Sequence, residues 1–209
     1  WQELKKLIKE QSSFILTTHI NPDGDGIGSA CALLELLLEV GKKARFVSPD
    51  PIPPRFLFLD KHNLFEEYSK QGNYSQTDVL IVLDAHKKER IGRVQDLLDL
   101  HNVTTVVIDH HPESISIGDI NLIDEKACSV GAMLYTFFKV CGISINLNAA
   151  QGLYTSVICD SGRFCYSSTS RKAHKIADEC LKVGVDPSFM YSQLFQQVPK
   201  KSMDLFTSV

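Results

Sequence analysis

Val79-Leu80-Ile81-Val82-Leu83-Asp84 sets five consecutive apolar residues ahead of a single carboxylate. A strand with one wet face alternates apolar and polar residues, whereas an unbroken run of branched apolar residues needs both faces covered. Val103 to Ile108 is a second buried-strand segment, and it too runs into an acid, Asp109. Working outward, Ser13–Thr18 and residues 43–47 read as shorter strands. Helical spacing covers 2–10, 26–40 (with Gly41 as its stop), 92–100, 129–140, 148–158, 171–183 and 187–196. The stretch Pro49-Asp50-Pro51-Ile52-Pro53-Pro54 reads as a loop. Buried strands alternating with helices predict an α/β fold, a parallel β-sheet covered by helices on both faces.

Composition sets the outer limits. The 209 residues allow one large domain or one domain with an appendage, and 44% apolar content suffices for a core. A net charge of −3 gives no electrostatic case for coating nucleic acid, so any such substrate must be held at a local site. The six cysteines (31, 128, 141, 159, 165, 180) form no Cys-x-x-Cys pair and read as reduced thiols of a cytoplasmic protein. No signal peptide is read. The apolar stretch Leu33 to Val40 carries Glu35 and Glu39 and is too short for a bilayer, so no membrane partner is expected. The chain opens on Trp1 and stops at Val209 within a helix-like run, which suggests part of something longer.

The chemistry concentrates at the ends of the strands. Thr18-His19-Ile20-Asn21-Pro22-Asp23-Gly24-Asp25-Gly26 packs one imidazole and two carboxylates between a strand and a helix. Neighbouring carboxylates raise each other's pKa, and a bound divalent cation reverses that effect. Asp84 follows the strand at 79–83, Asp109-His110-His111 follows the one at 103–108, and Asp160 follows the helix at 148–158. Open parallel sheets gather functional groups beyond the carboxyl ends of their strands, so these residues are expected in one crevice. Asp23, Asp25, Asp84 and Asp160 carry four negative charges that two divalent cations balance, with His19 and His110 neutral. Oxygen and imidazole ligands without thiolate suit manganese, magnesium or cobalt better than structural zinc. Two such cations about 3.5–4 Å apart are the usual device for in-line attack at phosphorus.

His19-x-x-x-Asp23-x-Asp25, the lone Asp84, Asp109-His110-His111 and the late Asp160 together resemble the four motifs of the DHH phosphoesterases. Asn21-Pro22-Asp23-Gly24-Asp25, Arg90-Ile91-Gly92 and Asp160-Ser161-Gly162 resemble most the oligoribonuclease and 3′-phosphoadenosine 5′-phosphate phosphatase branch. The resemblance implies a first manganese on His19, Asp23 and a bridging Asp84, and a second on Asp25, Asp84, His110 and Asp160. It implies His111 as a catalytic hydrogen-bond donor to the scissile phosphate and Asp109 as the residue that orients a histidine. A hydroxide held between the two metals would attack phosphorus in a short oligonucleotide or nucleotide. By the same resemblance, residues 1–196 form the catalytic metal-binding domain. Residues 197–209 begin a connecting helix toward a smaller, glycine-rich substrate domain, and a homodimer is open. Cys165 stands where this branch is expected to have a basic residue, and Arg163 is the nearest substitute.

Other residues carry weaker expectations. Arg90 reads either as a phosphate contact or as a salt bridge fixing its loop, and Ser29 with the amides of 26–29 as an anion contact or simple packing. His86 reads first as a solvated loop residue and second as a neighbour of the metals; His62, His101 and His174 read as surface residues. A dinucleotide-binding reading of Gly24, Gly26 and Gly28 fails because Cys31 takes the third fingerprint position and two aspartates would face the pyrophosphate. Inorganic pyrophosphatase, cyclic-dinucleotide phosphodiesterase and a non-catalytic nucleotide-binding module are the alternative functions.

Overall fold

The computed structural model describes residues 1–112 and 116–197. Its strands are β1 (Ser13–Thr17), β2 (Lys43–Ser48), β3 (Phe65–Glu67), β4 (Val79–Leu83), β5 (Thr104–Asp109) and β6 (Ile120–Ile123). They form one sheet in the order β3-β2-β1-β4-β5-β6, every pairing parallel. Helices α1 (Gln2–Glu10), α2 (Gly24–Glu39), α3 (Val130–Cys141), α4 (Leu147–Asp160), α5 (Arg171–Val183) and α6 (Pro187–Phe195) complete the fold.

Side-chain alternation explains the apolar runs. Val79, Ile81 and Leu83 join Phe14, Leu16, Val106 and Ile108 in the large core with α1–α6. Leu80 and Val82 join Ile15, Val47 and Val107 on the opposite face, closed by Ile91, Val94 and Leu97 of a 3₁₀ segment, Lys88–Asp99. Successive residues of a strand point to opposite faces, so only a strand buried on both sides is apolar throughout.

Several boundaries differ from the sequence reading. The helix expected at 92–100 is 3₁₀ and broken at Gly92, whose φ of 52° is left-handed. The proline-rich loop leads into a 3₁₀ turn, Pro54–Leu59, that buries Phe56 and Leu59. Beyond the four expected strands, β3 and β6 form the sheet edges; each is short and incompletely buried, so neither shows a clean period. Helix α2 starts at Gly24 because the Asp23 carboxylate accepts from the amides of Asp25 and Gly26, a side-chain N-cap. Gly28 and Gly152 let α2 and α4 touch backbone to backbone: a Cβ on Gly28 would stand 2.4 Å from the Gly152 carbonyl oxygen. The connecting helix expected from 197 falls, apart from non-helical Gln197, outside the described residues.

Candidate metal centre

The sheet order reverses direction between β1 and β4, and the carboxyl ends of these two strands flank the crevice that such a reversal opens. His19 follows β1, Asp84 follows β4, and His110 follows β5. Asp84 itself has φ of 60°, a left-handed conformation that aspartate tolerates better than most residues. Its amide donates to the Ile108 carbonyl, tying this turn to β5.

The sequence-predicted ligands converge in two groups, His19 with Asp23 and Asp84, and Asp25 with His110 and Asp160, and a third group, Asp84 with His110 and His111, overlaps both. His19 Nε2 lies 3.6 Å from Asp23 Oδ1 and 3.4 Å from Asp84 Oδ2. His110 Nε2 lies 3.5 Å from Asp25 Oδ2, 3.5 Å from Asp84 Oδ1 and 3.3 Å from Asp160 Oδ2. Asp84 thus turns one oxygen to each group. The Nδ1 atoms are engaged with backbone carbonyls, His19 with Ile20 and His110 with Ala127, which leaves the Nε2 lone pairs facing the acids. The 3.3–3.6 Å separations exceed charge-assisted hydrogen bonds, which run about 2.7–2.9 Å. Asp84 Oδ1 and His110 Nε2 are buried with no hydrogen-bond partner. Buried acceptors aimed at one another across such gaps leave room for metal, and oxygen and imidazole donors fit a divalent ion.

Protonation without a cation shows the same tension. Burial disfavours charge on His19, yet Asp23 and Asp84 outweigh it and raise its pKa from 6.5 to about 10. His110 is raised to about 10 as well, Asp84 and Asp25 overcoming burial. Burial, then the charges of Asp84 and Asp160, push Asp25 well above the usual carboxylate range. Burial opposed by His110 leaves Asp160 at about 6.

Asp25 is fully buried yet well served. Its Oδ1 accepts from Ser156 Oγ at 2.5 Å, Ser29 Oγ at 3.1 Å and the Gly131 amide at 3.3 Å, and its Oδ2 accepts from the Val130 amide at 2.8 Å. Those amides open α3, so the carboxylate also meets the positive end of that helix. Ser29, expected as an anion contact, is itself fully buried beneath Asp25 and positions that acid. The amides at the start of α2 are likewise taken by Asp23. Ser156 escaped the sequence reading, although it precedes Asp160 by one helical turn on α4.

Asp109, also fully buried, accepts from the amides of His110 and His111, from His111 Nδ1 at 2.8 Å and from His86 Nδ1. Burial would raise its pKa, but the two imidazoles and the backbone lower it to about 2. His86 is therefore no solvated loop histidine; it is buried against Asp109. His111 is the half-exposed partner, and its Nδ1 is occupied by Asp109, which leaves Nε2 for the crevice. Arg163 is not brought to the cluster: its guanidinium lies 5.4 Å over the Phe195 ring of α6. Cys165 is exposed, its thiol on the Arg163 carbonyl. Arg90 forms no salt bridge with a described carboxylate, so the loop-fixing reading fails; its backbone carbonyl fixes the loop by accepting from Ile20.

Carboxylates and histidines gathered around one aspartate at a sheet reversal form a cluster able to hold metal. The model of the DHH family, N-terminal domain, matches residues 13–158, and the chain belongs to the DHH family of phosphoesterases. It is 29% identical over 197 residues to the bifunctional oligoribonuclease and PAP phosphatase NrnA of Bacillus subtilis, covering 93% of this chain and 60% of that protein. Against the protein of the same name from Thermus thermophilus it is 28% identical, covering 88% and 56%. The chain thus spans less than two thirds of these relatives. An exopolyphosphatase-related protein from Bacteroides fragilis superposes with a TM-score of 0.91 at 22% identity, over 100% of this chain and 63% of that one. Exonuclease RecJ bound to manganese shares the fold with a TM-score of 0.54 at 15% identity, over 87% and 47%. No helix of the described residues is long and apolar enough to cross a membrane.

Proposed function

We propose that this chain is the catalytic part of a manganese-dependent phosphohydrolase. Its substrates would be short oligonucleotides or 3′-phosphoadenosine 5′-phosphate, cleaved in the cytoplasm. The observation that carries this reading is Asp84, whose two oxygens face two separate histidine–acid groups. His19, Asp23 and Asp84 would hold one divalent cation; Asp25, Asp84, His110 and Asp160 would hold the other. When bound, such a pair lowers the pKa of an attacking water and neutralises charge on phosphoryl oxygens. The chain's own residues do the rest. Asp109 locks the His111 ring with Nδ1 as donor and raises its pKa, favouring the doubly protonated ring whose Nε2 can donate to a phosphoryl or leaving-group oxygen. Burial of Asp25 and Asp84 keeps bulk water from relaxing the site.

The substrate class rests on the names of the relatives, and the segment they have beyond this chain's span would add to the choice. A phosphate- and nucleotide-release assay on the natural full-length protein with manganese tests it, comparing dinucleotides, 3′-phosphoadenosine 5′-phosphate, cyclic dinucleotides and pyrophosphate. Release from the first two is the expected result. Exclusive hydrolysis of pyrophosphate or cyclic dinucleotides would overturn the substrate assignment, and nucleotide binding without release would overturn catalysis.

A further inference from the structure

The turn that follows β4 walls a cavity of about 380 Å³ beside the metal centre, bounded by Asp84, Asp109 and His111 together with His86, Lys87 and Arg90. We propose that this cavity is a subsite for a second, non-scissile phosphate, so that the protein selects phosphoesters carrying two phosphates on one nucleoside. The inference rests on the phosphohydrolase reading above.

Charge is the first argument. Of the two acids of the wall, Asp109 is engaged by two imidazoles and two amides, and Asp84, between His19 and His110, is the acid that the reading above gives to the cations. Lys87 and Arg90 are the permanent cations of the wall, both exposed, and neither pairs with a described carboxylate. The balance that remains favours an anion, and a guanidinium suits phosphate because its planar fork can make two parallel bonds. A third polar group in the wall, the buried His86, has Nε2 without a hydrogen-bond partner.

Position is the second argument. The Arg90 carbonyl accepts from the Ile20 amide at 2.7 Å, one residue past His19, and the Arg90 amide donates to the Lys87 carbonyl at 3.0 Å. The His86 carbonyl accepts from Ile117 at 3.1 Å, and Ile91 is fully buried next door. Gly92 lets the chain turn at positive φ, and the place of its missing Cβ is filled by Ile20 Cγ2 at 2.6 Å. The cations therefore hang from a backbone fixed to the residue that follows a metal ligand, a preorganised arrangement. Because one cavity joins this turn to Asp84 and His111, a substrate can reach both with one molecule. Its size, about 380 Å³, is at the lower end of ligand pockets, roughly 300–1,000 Å³, and exceeds what one phosphate needs.

The test compares 3′-AMP with 3′-phosphoadenosine 5′-phosphate, which share the scissile 3′-phosphate and differ only in the second phosphate. In the wild-type protein kcat/KM favours the bisphosphate. In Lys87→Ala/Arg90→Gln that ratio falls at least tenfold, chiefly through KM, and restoring a charge with Arg90→Lys recovers part of it. Equilibrium dialysis of both nucleotides gives a readout independent of turnover. Equal wild-type binding of the two, or a ratio unmoved in the double variant, overturns the subsite. Binding preference for the bisphosphate that the double variant loses, without hydrolysis of either nucleotide, upholds the subsite and overturns the phosphohydrolase reading. A melting curve of each variant separates lost folding from lost recognition.

Discussion

Removing one hydroxyl, Ser156→Ala, isolates what holds the deepest acid of the centre. Ser156 is fully buried on α4 and donates to Asp25 Oδ1 at 2.5 Å, while its oxygen lies 3.0 Å from the Gly131 amide and 2.9 Å from Ser129 Oγ. An ionised carboxylate only accepts, so the single Ser156 proton is committed to Asp25. After substitution Asp25 keeps Ser29, Gly131 and Val130, and Gly131 keeps Asp25, but the buried Ser129 hydroxyl, which must donate to Ser156 Oγ, loses that acceptor. The loss is then the hydrogen bond to the ionised carboxylate, about 1.5–3 kcal/mol, together with about 1–3 kcal/mol for the stranded Ser129 hydroxyl. For a domain of this size that corresponds to a fall in Tm of roughly 5–24 °C. Removing a group that orients a metal ligand costs roughly 10–100-fold in affinity, here at the site containing Asp25, His110 and Asp160 alone. Thermal unfolding in EDTA at high pH, which favours ionised Asp25, and manganese calorimetry measure the two effects, with the exposed Ser168→Ala as control. An unchanged Tm with both manganese sites intact would refute the reasoning.

His111→Ala should lower turnover more than tenfold while leaving manganese affinity nearly intact; loss of a metal instead would mean that His111, not His110, is the ligand. The pH response of the metal-free protein has a definite sign. His19 and His110, raised from 6.5 to about 10, contribute stability that is full below pH 6.5 and lost as pH rises through 10. Asp160, raised to about 6, acts in the same direction earlier, its contribution fading as pH rises from about 4 through 6. Melting in EDTA should therefore weaken steadily toward alkaline pH. Saturating manganese, at 100 times Kd, should add about 2.7 kcal/mol per site and remove most of that slope. A flat Tm against pH in EDTA would show that the carboxylates do not hold these protons.

Legibility followed burial and spacing. The runs 79–83 and 103–108 revealed central strands because both faces of each are covered, and His19, Asp84, Asp109 and His110 could be placed at strand ends for the same reason. Strands β3 and β6 escaped because short edges, half open to water, leave no period to read. The Gly92 break escaped because tight packing against Ile20 is a tertiary fact. His86 and Ser156 escaped because their partners, Asp109 and Asp25, are 23 and 131 residues away.

By itself the sequence determined the parallel α/β architecture, the family and which six side chains form the acid–imidazole set. These follow from apolar periodicity and from acids and imidazoles at motif spacing, a combination suited to holding cations. Tertiary structure alone decided that Asp84 divides its two oxygens between the groups, that Ser29 and Ser156 serve Asp25, and that Arg163 turns away while Arg90 stays beside the cavity. The physical reason is that hydrogen-bond partners and side-chain directions are set by how helices and strand ends pack, over separations that no local pattern records.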